Sequence, residues 1–297
     1  MFRRRAEPPN PDWMPRMRAR IRTAPEWNDR DLPDADALVA TAWQSAAPVA
    51  AAAPSKGAKF YLIQHYESLY HGAPDAVDAT YRLPLRQIAI SSWLCGLLAQ
   101  RFGARADLLV TPVDRELFHP SGATAQAARP RVLMLHHDYA WKGVADGLQA
   151  VARARAAGAG LHLVGFGVKS APAGVPYDEF HANPPQSGLA ALYSGADIYL
   201  CPSWDEGLGM PSMEAMACGA ALVTYDNGGC RDYARDGITA LVARRRDVAD
   251  LAAKLTILIV EPTVRRRLAT AGRDLVTTAF DWERAVLRLE AILQGRE

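Results

Sequence analysis

From residue 36 onward, short apolar runs alternate with stretches of helical period. Ala37 to Thr41, Lys59 to Ile63, Gln87 to Ile90 and Asp107 to Val110 read as strands, with helices near Ser45, near Asp78 and over Ser92 to Arg101. A polar, Ala-rich stretch at 121–130 interrupts the rhythm and reads as a hinge. Beyond it, Val132 to Leu135, Leu161 to Val164, Ala196 to Leu200 and Ala221 to Thr224 predict strands. Val144 to Ala156, Leu251 to Leu258, Thr263 to Thr277 and Trp282 to Leu293 predict helices. Strands alternating with helices imply parallel sheets, so the fold class is α/β, with a second domain that is doubly wound. The expected boundaries are an arm at 1–35, a first domain at 36–120, the hinge at 121–130, a second domain at 131–281 and a terminal helix within 282–297.

The arm differs in kind from the rest of the chain. It carries prolines at positions 8, 9, 11, 15, 25 and 33 and seven arginines in its first 22 residues, a poor composition for a strand or a core. Over the whole chain, 49% hydrophobic and 22% charged residues describe a globular protein, and a net charge of +2 argues against a dedicated nucleic-acid binder. Cys95, Cys201, Cys218 and Cys230 lack metal-site spacing and are expected as buried thiols in a reducing compartment. With no apolar run of membrane-spanning length, the expectation is a cytoplasmic protein, its basic arm offering a peripheral contact with the inner membrane face.

The chemistry concentrates in Pro202-Ser-Trp-Asp-Glu-Gly-Leu-Gly-Met-Pro-Ser-Met-Glu-Ala-Met-Ala-Cys-Gly219. A strand ends at Leu200, glycines forbid a helix before 209, and Pro211 suits a first helical turn. Glu206 therefore lies on a loop and Glu214 in the helix after it. Gly207 and Gly209 allow backbone amides, those of Leu208 and Met210 among them, to approach a ligand at a helix N-terminus, where negative charge is favoured. A phosphate flanked by two carboxylates that hold hydroxyls describes a nucleotide sugar.

At these residues the chain resembles retaining glycosyltransferases of family 4, whose GT-B fold implies two Rossmann-like, doubly wound domains facing a cleft. The resemblance rests on Glu206 and Glu214 with seven residues between them, the run Glu214-Ala-Met-Ala-Cys-Gly219, the Gly228-Gly229 pair and Asp236 to Val242. It extends from about Leu133 to the end, and more loosely back to Asp36. It implies that Glu206 holds donor sugar hydroxyls, that Glu214 holds the ribose hydroxyls, and that Lys142 takes the diphosphate charge. It also implies a terminal helix packing back on the first domain, a sugar or lipid-linked acceptor, and no metal or cofactor beyond the donor. Transfer would move a hexose or deoxyhexose with retention.

Where the family has an arginine five residues before Lys142, this chain has His137, which would have to be protonated to supply the same charge. Diphosphate binding is then expected to tighten as that imidazole gains a proton, with Lys169 or Arg231 sharing the load. His65, ending the strand Phe60 to Gln64, occupies the family's cleft-histidine position. Gly165-Phe-Gly167 is expected as a strand-to-helix loop lining the donor pocket. Asp29-Arg-Asp31 and Asp34-Ala-Asp36 imitate a metal-binding pair but precede the first strand, which disfavours that role. The first domain lacks the usual opening strand and glycine-rich loop, so it is expected to be reduced, with its open face covered by a second subunit or by a short helix around Met14 to Ile21. The alternative function is nucleotide-sugar binding without transfer.

Overall fold

The computed structural model describes residues 19, 29–122, 129–170 and 173–296. Most of the arm, including its Met14 to Ile21 stripe, and hinge residues 123–128 lie outside them.

The first sheet is parallel, in the order β1 (Ala37–Ala40), β2 (Ala58–Ile63), β3 (Arg86–Ala89), β4 (Ala106–Leu108). Its strands alternate faces as a pleat requires. Tyr61, Ile63 and Ala89 pack beneath α1 (Trp43–Ala51), α2 (Pro74–Thr80) and α3 (Ser92–Phe102), with Val77, Leu94 and Leu98 completing that core. Phe60 and Ile88 face the other way, onto fully buried Ile292 of α9 (Trp282–Leu293). The chain's own last helix thus lies on that face, as the terminal-helix expectation has it, while the arm expected to cover it lies outside the described residues. Burying a side chain the size of Ile292 is worth roughly 2 to 3 kcal/mol, so α9 ties the end of the chain to the first sheet. Asp281 caps α9 by accepting the Arg284 amide at 3.1 Å.

The second sheet is also parallel, in the order β10 (Leu241–Ala243), β9 (Ala221–Tyr225), β8 (Ile198–Cys201), β5 (Arg131–Leu135), β6 (His162–Gly167), β7 (Glu179–Ala182). Chain order reverses at β5, with β6 on one side and β8 on the other, and that switch point is where doubly wound sheets bind ligands. One face carries α4 (Val144–Ala156) and α7 (Val248–Val260), the other α5 (Gln186–Ser194) and α6 (Met210–Ala217), with α8 (Pro262–Ala279) reaching both cores. β9 is buried throughout, as expected for a parallel strand covered on both sides.

One expectation fails here. Gly165 lies inside β6, not on a loop, and a Cβ there would come within 2.7 Å of the Tyr177 and Phe180 rings. Its smallness makes room for two aromatic rings.

Candidate functional site

Lys142 and Glu206 form an ion pair, Nζ to Oε1 2.7 Å, with side chains only 20% and 11% exposed. Backbone contacts put them there. Gly143, at φ +65°, follows Lys142, and a Cβ on it would stand 2.0 Å from the Pro202 carbonyl oxygen. The Trp204 amide donates to the Trp141 carbonyl at 2.7 Å. The loop after β5 is thus pressed against the loop after β8, which brings the lysine to the carboxylate. Glu206 is fixed from its other side as well, its amide donating to the Asn227 carbonyl at 2.9 Å and its carbonyl accepting from Gly229 at 3.1 Å.

The glycines of these loops serve close approach, though of protein to protein. A Cβ on Gly207 would lie 1.9 Å from the Gln64 carbonyl of the first unit, and one on Gly228 2.6 Å from the Trp93 ring. Gly229 faces the Gly207 and Leu208 backbone, and Gly209, at φ +99°, faces the Tyr233 hydroxyl. Sequence pattern alone assigns these positions to a ligand because it does not show the partner unit. Leu208 turns into the core and Met210 packs against it, leaving only their backbones for the site. A cavity of about 10 Å³ lies behind the ion pair, lined by Lys142, Glu206, Ser203 and Ser212. Ser212 Oγ, buried at the start of α6, has no hydrogen-bond partner among the described residues.

His65 comes from the first unit and completes the group. Both of its ring nitrogens are buried and unpartnered by normal geometry among the described residues, although the Tyr66 backbone lies beside it. Burial pushes its pKa down, and the Glu206 carboxylate pulls it part of the way back. A buried imidazole with two unmet polar atoms beside a Lys–Glu pair is arranged for a polar ligand.

His137 departs from expectation. Burial first, and the Lys142 charge second, hold its pKa below the usual value. Its Nδ1 accepts the Tyr139 amide at 3.0 Å, which leaves Nε2–H as a donor. Both effects favour the neutral ring, with Nε2–H as its donor, over the charged form that would replace the missing arginine. The other two candidates for that charge are engaged: Lys169 pairs with Asp138, and Arg231 forks onto Asp226 at 2.7 and 2.8 Å. Beside His137 opens a cavity of about 310 Å³, lined by His136, Asp138, Tyr139, Val168 and Lys169.

Glu214 sits in the second turn of α6. Burial raises its carboxyl pKa to about 7; Tyr193 lies alongside and eases the shift, but its hydroxyl makes no hydrogen bond of normal length. Asp29 and Asp34, of the two Asp pairs before β1, accept from the Ala53 amide and pair with Lys56.

Nothing in the sequence pattern signals the contacts that join the two units. Tyr70 stacks on Trp141 (centroids 4.1 Å apart, planes 9° apart), and Tyr139 stacks on Trp141 in turn at 4.2 Å. The Tyr70 hydroxyl donates to Asp205, whose other oxygen takes Arg245. The Ser92 amide and hydroxyl both donate to Asp232. A tyrosine in Leu69-Tyr-His71 carries no periodic or spacing signal, so only the fold exposes its role.

The glycosyl transferases group 1 family matches residues 121–275, more than half of the chain. A D-inositol 3-phosphate glycosyltransferase of Geodermatophilus obscurus is 39% identical over 103 residues, 35% of this chain and 22% of that protein. A glycogen synthase of Mycobacterium tuberculosis is 38% identical over 95 residues, 32% of this chain and 23% of that protein. The chain thus spans less than a quarter of the length of these curated relatives. In fold it is similar to sucrose-phosphate synthase from Thermosynechococcus elongatus, with a TM-score of 0.75 at 19% identity, covering 88% of this chain and 73% of that one. It is also similar to Anabaena HepE in complex with UDP-glucose, with a TM-score of 0.76 at 15% identity, covering 88% and 79%. With two parallel α/β sheets meeting at a Lys–Glu pair and the matched region spanning the second sheet, the chain belongs to the group 1 glycosyl transferase family and has a GT-B fold.

Proposed function

We propose that the protein transfers a hexose or deoxyhexose from a nucleoside-diphosphate sugar to an acceptor hydroxyl, with retention and without a metal ion. The observation that carries this reading is the mostly buried Lys142–Glu206 pair at the strand carboxyl ends, with the unpartnered His65 ring facing it from the other unit. Lys142, released from Glu206, would balance the charge that grows on the departing diphosphate, and Leu208, Gly209 and Met210 amides at the start of α6 would add donors. His137 would donate Nε2–H to a phosphate oxygen. Glu206, freed of its lysine, would hold donor sugar hydroxyls, and Glu214 the ribose hydroxyls. In a retaining transfer without a covalent intermediate, a phosphate oxygen takes the acceptor proton on the face the diphosphate leaves. His65 would orient the sugar or the acceptor. The cavity beside His137 has room for part of a nucleotide.

A thermal-shift panel of UDP, GDP, ADP and dTDP, each with and without a linked sugar, tests the donor reading. One base should raise the midpoint by several degrees, and its sugar adduct should then be hydrolysed or transferred. Tight binding with neither reaction would leave only the nucleotide-sugar-binding reading.

A further inference from the structure

A second concavity lies on the first sheet, at the carboxyl ends of β2 to β4, under α9 and the segment Leu109 to Pro112. Its volume is about 220 Å³, and its lining is apolar apart from Gln64, Thr111 and the indole N–H of Trp282. The Gln64 amide is turned away, donating to the Thr41 carbonyl at 3.1 Å. On the α9 side, Trp282 and Val286 line it while remaining 54% and 46% exposed, and Leu287 beside them is 60% exposed. The groove adjoins the site already described through Gln64. Gln64 lines it, the Gln64 carbonyl abuts Gly207 next to Glu206, and the next residue is His65. An apolar groove that begins one residue from a transfer site suits an acceptor whose reactive hydroxyl is followed by hydrocarbon.

We propose that this groove holds the apolar chain, alkyl or isoprenoid, of the acceptor, seated between Leu62 and Ile90 of the first sheet and Trp282 and Val286 of α9. This names the acceptor class within the transferase reading and rests on it. The chain anchors the acceptor through the hydrophobic effect, leaving its hydroxyl at His65 and Glu206.

The test uses the full chain and the series hexyl, octyl and decyl β-D-glucopyranoside, with binding followed by calorimetry below micelle formation. Each methylene that enters the groove should tighten binding about fourfold, so roughly 16-fold per two carbons. Val286→Asp, which sets a carboxylate in the groove, and Val286→Trp, which fills it, should both reduce that step to under twofold. Both should leave the midpoint shift with the preferred nucleoside diphosphate unchanged. A flat chain-length series in the native protein, or an unaltered series in both variants, overturns the proposal. So does a concentration-dependent dimer that Val286→Asp abolishes, which assigns the groove to a second copy. So too does a groove that binds only after residues 1–28 are removed, which assigns it to the arm. If no nucleoside diphosphate shifts the midpoint, the donor reading fails separately, and the chain-length series still decides the groove.

Discussion

The two sheets hold their functional residues by different means. In the second, Lys142 and Glu206 sit on loops locked to each other by backbone: Gly143 against Pro202, the Trp204 amide on Trp141, the Glu206 amide on Asn227. In the first, His65 and Gln64 reach the same place only because the units touch, through Gln64 on Gly207, Tyr70 on Trp141 and Asp205, and Ser92 on Asp232. The difference points to a division of labour. On the proposed reading, donor binding would fall to the backbone-locked loops of the second unit, and transfer would depend on contacts between units that substitution can weaken one at a time.

Substitutions in each unit would break or sharpen that contrast. The largest effect is expected of Lys142→Ala, which strands a mostly buried Glu206 carboxylate at a cost of about 3 to 5 kcal/mol and removes the cation proposed for the diphosphate. Chemical denaturation and nucleotide calorimetry should both register it. Its counterpart, Glu206→Gln, should free the lysine and tighten binding of the plain nucleoside diphosphate while abolishing transfer. Weaker binding in that variant would mean the pair does not compete with phosphate. Gly143→Ala should come next, at about 3 kcal/mol, since it combines a positive φ with a collision against Pro202. It should depress donor binding and thermal midpoint together.

Glu214 gives a pH signature. Its carboxyl pKa is raised to about 7 from an ordinary 4.5, so between those values the folded protein binds a proton that the unfolded chain releases. The stabilisation is full below about pH 4.5 and is lost as pH rises through 7, amounting to roughly 3 kcal/mol across the window. Denaturation midpoints measured from pH 5 to 8 should fall, and Glu214→Gln should flatten that slope. A slope unchanged in the variant would place the titrating group elsewhere.

The smallest effect on stability is expected of Tyr70→Ala, at about 1 to 2 kcal/mol for the lost stack and hydrogen bond. Its effect on function should be selective, with nucleotide affinity kept within twofold and sugar transfer reduced at least tenfold. Equal losses of both would erase the distinction between the two units.

Legibility in the sequence follows the same divide. The strand–loop–helix carrying Glu206 and Glu214 shows in Ile198 to Ala217 because local rules govern it: an apolar run, glycines that forbid a helix, a proline at its start. The terminal helix likewise has the bounds its period predicts, Trp282–Leu293. β7 and α5 are hidden because Glu179-Phe-His-Ala182 alternates weakly and Gln186 to Ser194 is short and small-residue rich. Gly165 is misplaced by pattern because a glycine that makes room for Tyr177 and Phe180 looks, in sequence, like one that makes a loop. Burial and Lys142 both oppose the charge expected of His137, and sequence spacing conveys neither. Tyr70 and Trp93 are invisible because their partners lie on the other unit.

The most direct test is His65→Ala, read in two ways on one preparation: the calorimetric affinity for the preferred nucleoside diphosphate and the rate of sugar transfer or donor hydrolysis. Affinity should stay within about twofold of the native protein, and turnover should fall by two orders of magnitude or more, equivalent to about 3 kcal/mol of transition-state stabilisation. Unchanged turnover with affinity lost would contradict the division of labour, because the first unit would then serve binding and not transfer.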